Sequence, residues 1–201
     1  MTQNGAGGDL RVRRTRRLLH AALIELTGEK GFAAVTVGDI SERAMVNRAT
    51  FYRHYQDKYD LVMAVLRDVL SELSGLEHDP LAVPADEPMP ALLHLFEHIA
   101  GHAAFYRGLV SGESFPLLER PIREYVGQLL GRRLANLNYD PERSRLPFDL
   151  CLHAMVSTVI GMITWWLERG MPHSPRHMAL WLPQVNMLGM HYCLGVEGTA
   201  P

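Results

Sequence analysis

The stretch from residue 47 to residue 58 carries side chains that together could bind a nucleic acid. Within residues 48–55, Phe51 and Tyr55 lie four residues apart, a spacing that places both aromatic rings on one side of a helix. The opposite side then carries Arg48, Ala49, Thr50, Tyr52, Arg53 and His54. Guanidinium, hydroxyl, phenol and imidazole groups bind phosphate oxygens and the edges of bases. The pattern therefore indicates a short helix with a nucleic-acid-binding outer face.

Two N-cap residues define the helices that would position these groups. Thr36 precedes a helix predicted at 37–44, in which Val37, Ile40 and Ala44 form an apolar stripe. Asn47 caps the second helix, predicted at 48–55. Two short helices joined by a tight turn, the second with a polar outer face, are typical of a helix-turn-helix. Spacing alone is equally compatible with a pair of surface helices in an ordinary helical domain.

Residues 11–61 resemble the N-terminal DNA-binding domain of the TetR family of bacterial transcriptional regulators. The resemblance rests on Thr36, Val37, Asp39, Ile40 and Ala44, then on Val46, Asn47, Thr50, Phe51, Tyr52, His54, Tyr55, Lys58 and Leu61. One departure is Met45, which stands where the family usually has glycine in the turn. Because a non-glycine residue at positive φ costs roughly 1 kcal/mol, we expect either a slightly strained turn or a different turn geometry.

The resemblance implies roles for the exposed residues of this stretch. Thr50, Tyr52 and His54 match positions that contact DNA in the family, and Thr36 and Lys58 match positions that contact phosphates. The predicted DNA-binding set is completed by Asn47, Arg48, Ala49 and Arg53, which would enter or flank the major groove. The methyl group of Ala49 allows close approach and can touch a thymine methyl. A dimer would place two such helices about 34–36 Å apart and bind a near-palindromic operator in double-stranded DNA.

Charge is distributed unevenly along the 201 residues. Residues 9–58 carry ten Lys/Arg and six Asp/Glu, whereas the remainder carries ten and sixteen, within a net charge of −2. A basic N-terminal quarter on an acidic remainder suits a nucleic-acid-binding head on a body with another role. Five arginines between residues 11 and 17 are placed to reach the DNA backbone or minor groove, although such a run is as often a solvated face.

Several classes of protein are not expected from this sequence. Residues 1–9 lack the apolar core of a secretory signal, and the apolar run 154–167 is short for a membrane span. No Gly-x-Ser-x-Gly, phosphate-binding glycine loop, His-Glu-x-x-His or dinucleotide fingerprint occurs, so neither enzyme activity nor a cofactor is predicted. We therefore expect a cytoplasmic protein with no membrane partner.

Helical periodicity predicts an all-α fold in three parts. A disordered tail at 1–9 precedes a helix-turn-helix domain at 10–58, which continues into a connecting helix at 58–76. Prolines between residues 77 and 90 mark the boundary of a C-terminal ligand-binding and dimerisation domain at 77–201. Other helices are predicted at 10–31, 89–104, 117–137, 147–169 and 175–194, with 105–109 either continuing or breaking the helix before it.

The C-terminal helices carry two further patterns. Small residues at helical spacing, with one side of the last helix, predict a dimer interface at Ala154, Ser157, Gly161, Thr164, Leu182, Val185, Gly189 and Tyr192. The family dimerises through its last two helices, which implies the same; packing inside one subunit is the alternative. An adjacent stripe with neighbouring aromatic residues predicts an effector pocket lined by His102, Phe105, Tyr106, Tyr125, Met155, Thr158, Met162 and Trp165, although such stripes are also typical of plain core.

The resulting prediction is a homodimeric, sequence-specific DNA-binding transcriptional regulator, a repressor released from its operator by a small-molecule effector. The alternative is a DNA-binding organiser of the chromosome or of cell division that has no effector. His94, His98 and His102 recur every four residues, but no Cys, Asp or Glu joins their stripe, so no metal site is predicted. Cys151 and Cys193 are expected to be inert thiols rather than a redox pair.

Overall fold

The computed structural model describes residues 4–74, 86–134 and 145–194, with side chains at 10–71, 86–132 and 145–186. Over these residues the chain forms nine α-helices and no strand. They are α1 (Asn4–Lys30), α2 (Val37–Arg43), α3 (Arg48–Tyr52), α4 (Lys58–Ser74), α5 (Pro90–Gly101), α6 (Ala103–Val110), α7 (Phe115–Leu134), α8 (Phe148–Glu168) and α9 (Pro175–Leu194). A 3₁₀ turn, Phe32–Ala34, follows α1. The prediction of an all-α fold is confirmed.

The helix limits differ from the sequence prediction at several ends. α1 begins at Asn4, so residues 4–9 of the predicted disordered tail are helical, while residues 1–3 lie outside the described residues. α3 ends at Tyr52 rather than at residue 55. α5 ends at Gly101 and α6 begins at Ala103. The helix predicted at 89–104 is therefore interrupted at residue 102, two residues before its predicted end.

The chain divides into two compact units. The first comprises residues 1–68 and 102–118, and the second comprises residues 69–101 and 119–201. α6 therefore groups with the N-terminal helices. The domain limits predicted from sequence, at 10–58, 58–76 and 77–201, remain a proposal, and residues 75–85 around the boundary lie outside the described residues.

Apolar side chains from α1 to α4 form the core of the first unit. Leu19, Leu23, Ile40, Phe51 and Leu61 are all completely buried. α6 packs closely against α1 at Gly108. A Cβ atom added there would lie only 2.9 Å from the carbonyl oxygen of Thr27. Any larger residue at position 108 would push the two helices apart.

Trp166 is the centre of the second unit. It is completely buried, packs edge-on against Phe96 with 5.4 Å between ring centroids, and donates its indole N–H to the carbonyl oxygen of His173 at 2.8 Å. α8 and α5 both pack against α9 around it. Among the described helices, α8 is long and apolar enough to cross a membrane, judged by length and composition only. Of its most apolar 18-residue stretch, 28% is buried in the subunit.

Candidate nucleic-acid interface

A capping box fixes the start of α2. The hydroxyl oxygen of Thr36 accepts from the backbone N–H of Asp39 at 3.1 Å, and the Asp39 carboxylate accepts from the backbone N–H of Thr36 at 2.8 Å. The Lys30 ammonium lies 2.8 Å from the same carboxylate and, with Thr36, holds the pKa of Asp39 well below its ordinary value. The Thr36 hydroxyl also donates to Asp39 at 2.7 Å, so a phosphate contact there would compete with this bond.

The sequence allowed either a strained turn or a different turn geometry between α2 and α3, and the turn is strained. Met45 lies in the left-handed region with a φ of 53°, and its side chain is 87% exposed. Its backbone N–H donates to the carbonyl oxygen of Glu42, and that of Val46 donates to Ser41. These bonds hold the turn in a conformation that favours glycine.

Replacing Met45 by glycine is expected to raise the free energy of unfolding by about 0.5–1 kcal/mol. Relief of left-handed strain is worth roughly 1–2 kcal/mol, and the added flexibility of the unfolded chain offsets part of that gain. The exposed side chain loses little packing. Urea denaturation measures the change, and Met45→Ala is the control because alanine keeps the Cβ atom; an equal gain in both variants would contradict strain as the cause.

α3 presents the predicted outer face. Its start is fixed by Asn47, whose side-chain oxygen accepts from the backbone N–H of Thr50 at 2.7 Å. Phe51 and Tyr55 are 0% and 5% exposed and anchor the segment to the core. The predicted face is assembled on the other side: Arg48, Ala49, Tyr52 and Arg53 are exposed, and Thr50 and His54 are half-buried.

Two arginines of this face have specific neighbours. The Arg48 guanidinium lies against the first turn of α2, where a Cβ atom on Gly38 would be 2.5 Å from it. Gly38 therefore makes room for the cation between the two helices. Arg53 donates to the hydroxyl oxygen of Thr50 at 3.3 Å, which links two residues predicted to touch DNA.

Lys58 has a structural position that the sequence did not indicate. Its ammonium group donates to the carbonyl oxygens of Phe32, Ala33 and Val35 at 2.9, 3.0 and 2.9 Å, and lies 4.6 Å from the Phe32 ring centroid. All three of its N–H bonds are thereby used to join the start of α4 to the chain after α1. A phosphate contact by Lys58 would require releasing one of them.

A second unpredicted feature is a polar cluster of Arg16, Tyr55, His20 and Asp68, which we call the Tyr55 relay; Tyr55 is hydrogen-bonded to Arg16 and His20, and Asp68 lies at ion-pair distance from His20. Arg16 Nε donates to the Tyr55 hydroxyl oxygen at 3.3 Å, and His20 Nε2 lies 2.8 Å from that oxygen. His20 Nδ1 lies 3.5 Å from the Asp68 carboxylate. The only sequence signal was the spacing of Arg16 and His20, which are four residues apart beside the buried stripe of α1.

A cavity of about 420 Å³ opens beside the Tyr55 relay. It is lined by Leu10, Arg13, Arg16, Arg17, His20 and Asp68. Three of the arginines predicted to reach DNA therefore line the same cavity as His20. Burial lowers the pKa of His20, and the Asp68 carboxylate opposes this effect.

The stability of the protein is expected to fall as the pH drops below about 6.5, the ordinary pKa of histidine. Burial lowers the pKa values of His20 and His54 in the folded chain, so the unfolded chain takes up protons at higher pH. The free energy of unfolding therefore decreases from about pH 6.5 down to the folded pKa values. Thermal unfolding between neutral and mildly acidic pH measures the fall. The variant His20→Gln should show a smaller fall than wild type, and an equal one would count against His20.

The predicted effector lining is divided between the two units. His102, Phe105 and Tyr106 belong to the first unit, and the other five residues belong to the second. Phe105, Tyr106 and Met155 are buried, and burial raises the pKa of the Tyr106 phenol. Trp165 is 39% exposed and stacks on His173 with 6.0 Å between ring centroids. The effector pocket stays a prediction.

The predicted dimer residues differ in exposure. Ala154, Gly161 and Val185 are exposed, whereas Leu182 is 3% exposed and is enclosed within the subunit rather than presented to a partner. The Ser157 hydroxyl accepts from Arg123 Nη1 at 2.9 Å within the same subunit. Thr164 is half-buried, and the burial of Gly189 and the side chain of Tyr192 lie outside what the structure describes.

Within the described part of the chain, no group of three or more His, Cys, Asp or Glu side chains is arranged to hold a metal ion. α5 ends at Gly101, so His102 does not continue the helix that carries His94 and His98. Cys151 is a buried free thiol, and the side chain of Cys193 lies outside the described residues.

Two family models match the chain. Bacterial regulatory proteins of the tetR family match residues 18–65, and a transcriptional regulator C-terminal region matches residues 86–185. The two regions do not overlap, and together they span about three quarters of the chain.

Similar sequences are also transcriptional regulators. YxbF of Bacillus subtilis (strain 168), an uncharacterized HTH-type transcriptional regulator, is 25% identical over 177 residues, which are 85% of this chain and 44% of that protein. The HTH-type transcriptional repressor KstR2 of Rhodococcus jostii (strain RHA1) is 28% identical over 168 residues, 79% of this chain and 81% of that protein. The chain thus spans less than half the length of the first relative and most of the second.

Similar solved structures share the fold. The dihydroxyacetone kinase operon activator DhaS superposes with a TM-score of 0.61 at 15% identity, over 90% of this chain and 98% of that one. A TetR transcriptional regulator from Streptococcus agalactiae 2603V gives a TM-score of 0.61 at 22% identity, over 91% and 99%. These structures share only the fold, and the two family matches show that the chain belongs to the TetR family of bacterial transcriptional regulators, which are DNA-binding regulators.

Proposed function

We propose that this regulator is a homodimeric repressor that reads a near-palindromic operator with α3 and leaves it when a small-molecule effector binds. The observation that carries the proposal is the geometry of α3. Its start is fixed by Asn47, its inner side is anchored by Phe51 and Tyr55, and its outer side is left polar and exposed. A rigid helix with a free polar face is the arrangement that enters a major groove.

The recognition face combines phosphate and base chemistry. Arg48 and Arg53 supply guanidinium groups that suit phosphate oxygens or guanine, and Thr50 and His54 supply shorter polar groups. Tyr52 projects as the large aromatic side chain of the face, with 58% of its surface exposed. The exposed Ala49 lets the backbone approach the base edges.

Exposed apolar surface on α8 and α9 supports the homodimer. Leu150, Trp165 and Val185 are 50%, 39% and 56% exposed, and most of the apolar stretch of α8 is not buried by its own subunit. Ala154 and Gly161 are exposed small residues on α8, which permit close approach of another helix. A second copy that packs these helices together would remove this surface from water.

Two parts of the proposal, repression rather than activation and release by an effector, are based on similarity to other regulators. Of the two relatives described, KstR2 is the one whose length this chain covers more fully, and KstR2 is a repressor. This similarity favours repression. Release by an effector and a cytoplasmic location are typical of the family.

The homodimer is tested by sedimentation velocity. The wild-type protein should sediment with twice the mass of one chain, and Val185→Glu should weaken dimerisation at least about tenfold because two copies would bring like charges together. Leu117→Glu is the matched control, since Leu117 is 63% exposed and belongs to the first unit. A monomeric wild type, or equal behaviour of both variants, would contradict the α8–α9 interface.

A further inference from the structure

We propose that His20 is a positioning residue for DNA recognition: in its neutral form it holds the end of the recognition segment through the Tyr55 hydroxyl, and protonation of His20 makes sequence-specific binding pH-dependent. The proposal deepens the proposed function and rests on recognition of DNA by α3. His20 itself is on α1 and is not among the residues predicted to touch DNA.

The directions of the hydrogen bonds in the Tyr55 relay follow from its chemistry. Arg16 can only donate, so the Tyr55 oxygen accepts from Arg16 Nε at 3.3 Å. The Tyr55 hydroxyl proton is then free to point at His20 Nε2, which lies 2.8 Å away. His20 Nδ1 lies 3.5 Å from a carboxylate oxygen of Asp68, which favours the tautomer with the proton on Nδ1. In this tautomer neutral His20 accepts the Tyr55 hydroxyl proton at Nε2.

The relay connects three segments of the first unit: α1, α4 and the turn that follows α3. Arg16 and His20 are on α1, Asp68 is on α4, and Tyr55 ends the turn that follows α3. Tyr55 is 5% exposed, and its ring packs near those of Phe51 and His54, with centroid distances of 5.9 and 6.2 Å. Moving the Tyr55 ring would therefore move residues on both the inner and the outer side of the recognition segment.

Protonation of His20 changes this arrangement. Nε2 then becomes a donor, so the Tyr55 hydroxyl can no longer give its proton to His20 and must turn it elsewhere. The new charge is opposed by the Arg16 guanidinium on α1 and favoured by Asp68 on α4, while Arg13 and Arg17 on α1 line the same cavity. Tyr55 is the titratable group of the recognition segment that contacts it, and His54 lies on the far side of the Tyr55 contact, with 6.2 Å between the His54 and Tyr55 ring centroids. Burial of the ring adds to the cost of the charge.

The direction of the effect distinguishes positioning from simple electrostatics. A new positive charge in the first unit would by itself strengthen binding to every DNA duplex, because phosphate contacts dominate non-specific affinity. A displaced recognition segment instead weakens binding to the preferred sequence alone. The quantity to measure is therefore the ratio of affinities for a preferred duplex and a random duplex of equal length.

The test uses the full chain and a duplex selected by the wild-type protein from a random-sequence library at mildly alkaline pH. Fluorescence anisotropy at constant salt gives the affinity ratio from mildly alkaline to mildly acidic pH. The wild-type ratio should fall as the pH drops, approaching tenfold per pH unit below the pKa of His20, because only the neutral form is competent. His20→Gln keeps an acceptor for Tyr55 and a donor for Asp68 but cannot be protonated, so its ratio should change by less than about twofold.

Two further variants complete the design. Tyr55→Phe keeps the ring and removes the hydroxyl, so it should bind the selected duplex several-fold more weakly at alkaline pH and show little further loss on acidification. His94→Gln, at an exposed histidine of the second unit, should retain the wild-type pH profile, which links the effect to the first unit rather than to histidine in general. Circular dichroism at each pH confirms that every variant is folded, and Tyr55→Phe keeps the proposal testable if His20→Gln does not fold.

The outcomes separate this proposal from the proposed function. Equal pH profiles for wild type and His20→Gln, or tighter wild-type binding to both duplexes in acid, would overturn the positioning role. Failure of the wild-type protein to enrich any sequence at alkaline pH would instead overturn recognition by α3. A pH-dependent ratio in wild type that is absent from both His20→Gln and Tyr55→Phe would support the proposal.

Discussion

Replacing Lys58 by methionine is expected to lower the free energy of unfolding by about 3 kcal/mol. The substitution keeps the apolar stem but removes three charge-assisted hydrogen bonds, to the carbonyl oxygens of Phe32, Ala33 and Val35. Two of these bonds are partly buried, and each stranded carbonyl group costs about 1–3 kcal/mol in the more buried cases. Urea denaturation followed by circular dichroism measures the loss.

The same experiment decides between two roles of Lys58. A residue that only contacts phosphates would weaken binding to all duplexes alike and leave the folded protein about as stable as before. Arg67→Met is the control, because Arg67 is on the same helix, is 49% exposed, and lies 3.7 Å from Asp60 in a surface ion pair. That change should cost less than about 1 kcal/mol. Equal stabilities of Lys58→Met and wild type would contradict the structural role.

Replacing Tyr52 by alanine is expected to weaken binding to the preferred DNA sequence by about 10- to 100-fold, which corresponds to about 1–3 kcal/mol. Tyr52 is 58% exposed and meets Phe51 edge-on at 5.4 Å between ring centroids, so its ring adds little to the core and much to the recognition face. Fluorescence anisotropy on the selected and random duplexes measures the change, and binding to the random duplex should fall far less.

Tyr52→Phe separates the hydroxyl group from the ring. If the phenol oxygen contacts a base or phosphate, this variant should lose part of the affinity that Tyr52→Ala loses; if the ring alone packs against the groove, it should bind like wild type. Both variants should unfold at nearly the wild-type urea concentration. Unchanged sequence preference in Tyr52→Ala would contradict its place on the recognition face.

Local chemistry explains why the helix-turn-helix was predictable from sequence. Thr36 and Asn47 cap the two helices through bonds to residues three positions away, so the sequence itself contains both partners. Phe51 and Tyr55 are buried as their spacing predicted. The positive φ of Met45 was one of two alternatives expected from its place in the turn.

Tertiary contacts explain what the sequence did not reveal. The carbonyl partners of Lys58 lie 23 to 26 residues before it, and the partners of Tyr55 in the relay lie 35 and 39 residues before it. No periodic pattern encodes such pairs. On α9, Leu182 and Val185 share a stripe, yet one is buried in the subunit and the other is exposed. Apolar spacing alone does not distinguish a core from an interface.

The most direct test of DNA recognition by residues 47–54 is fluorescence anisotropy of the purified protein on its own upstream intergenic DNA. A random duplex of equal length, at near-physiological salt, gives the non-specific background. We expect binding at least about 10³-fold tighter to the upstream DNA, and the same probe then screens small molecules for release. Equal affinity for the upstream DNA, the random duplex and duplexes selected from a random library would contradict sequence recognition and favour a general organiser of DNA.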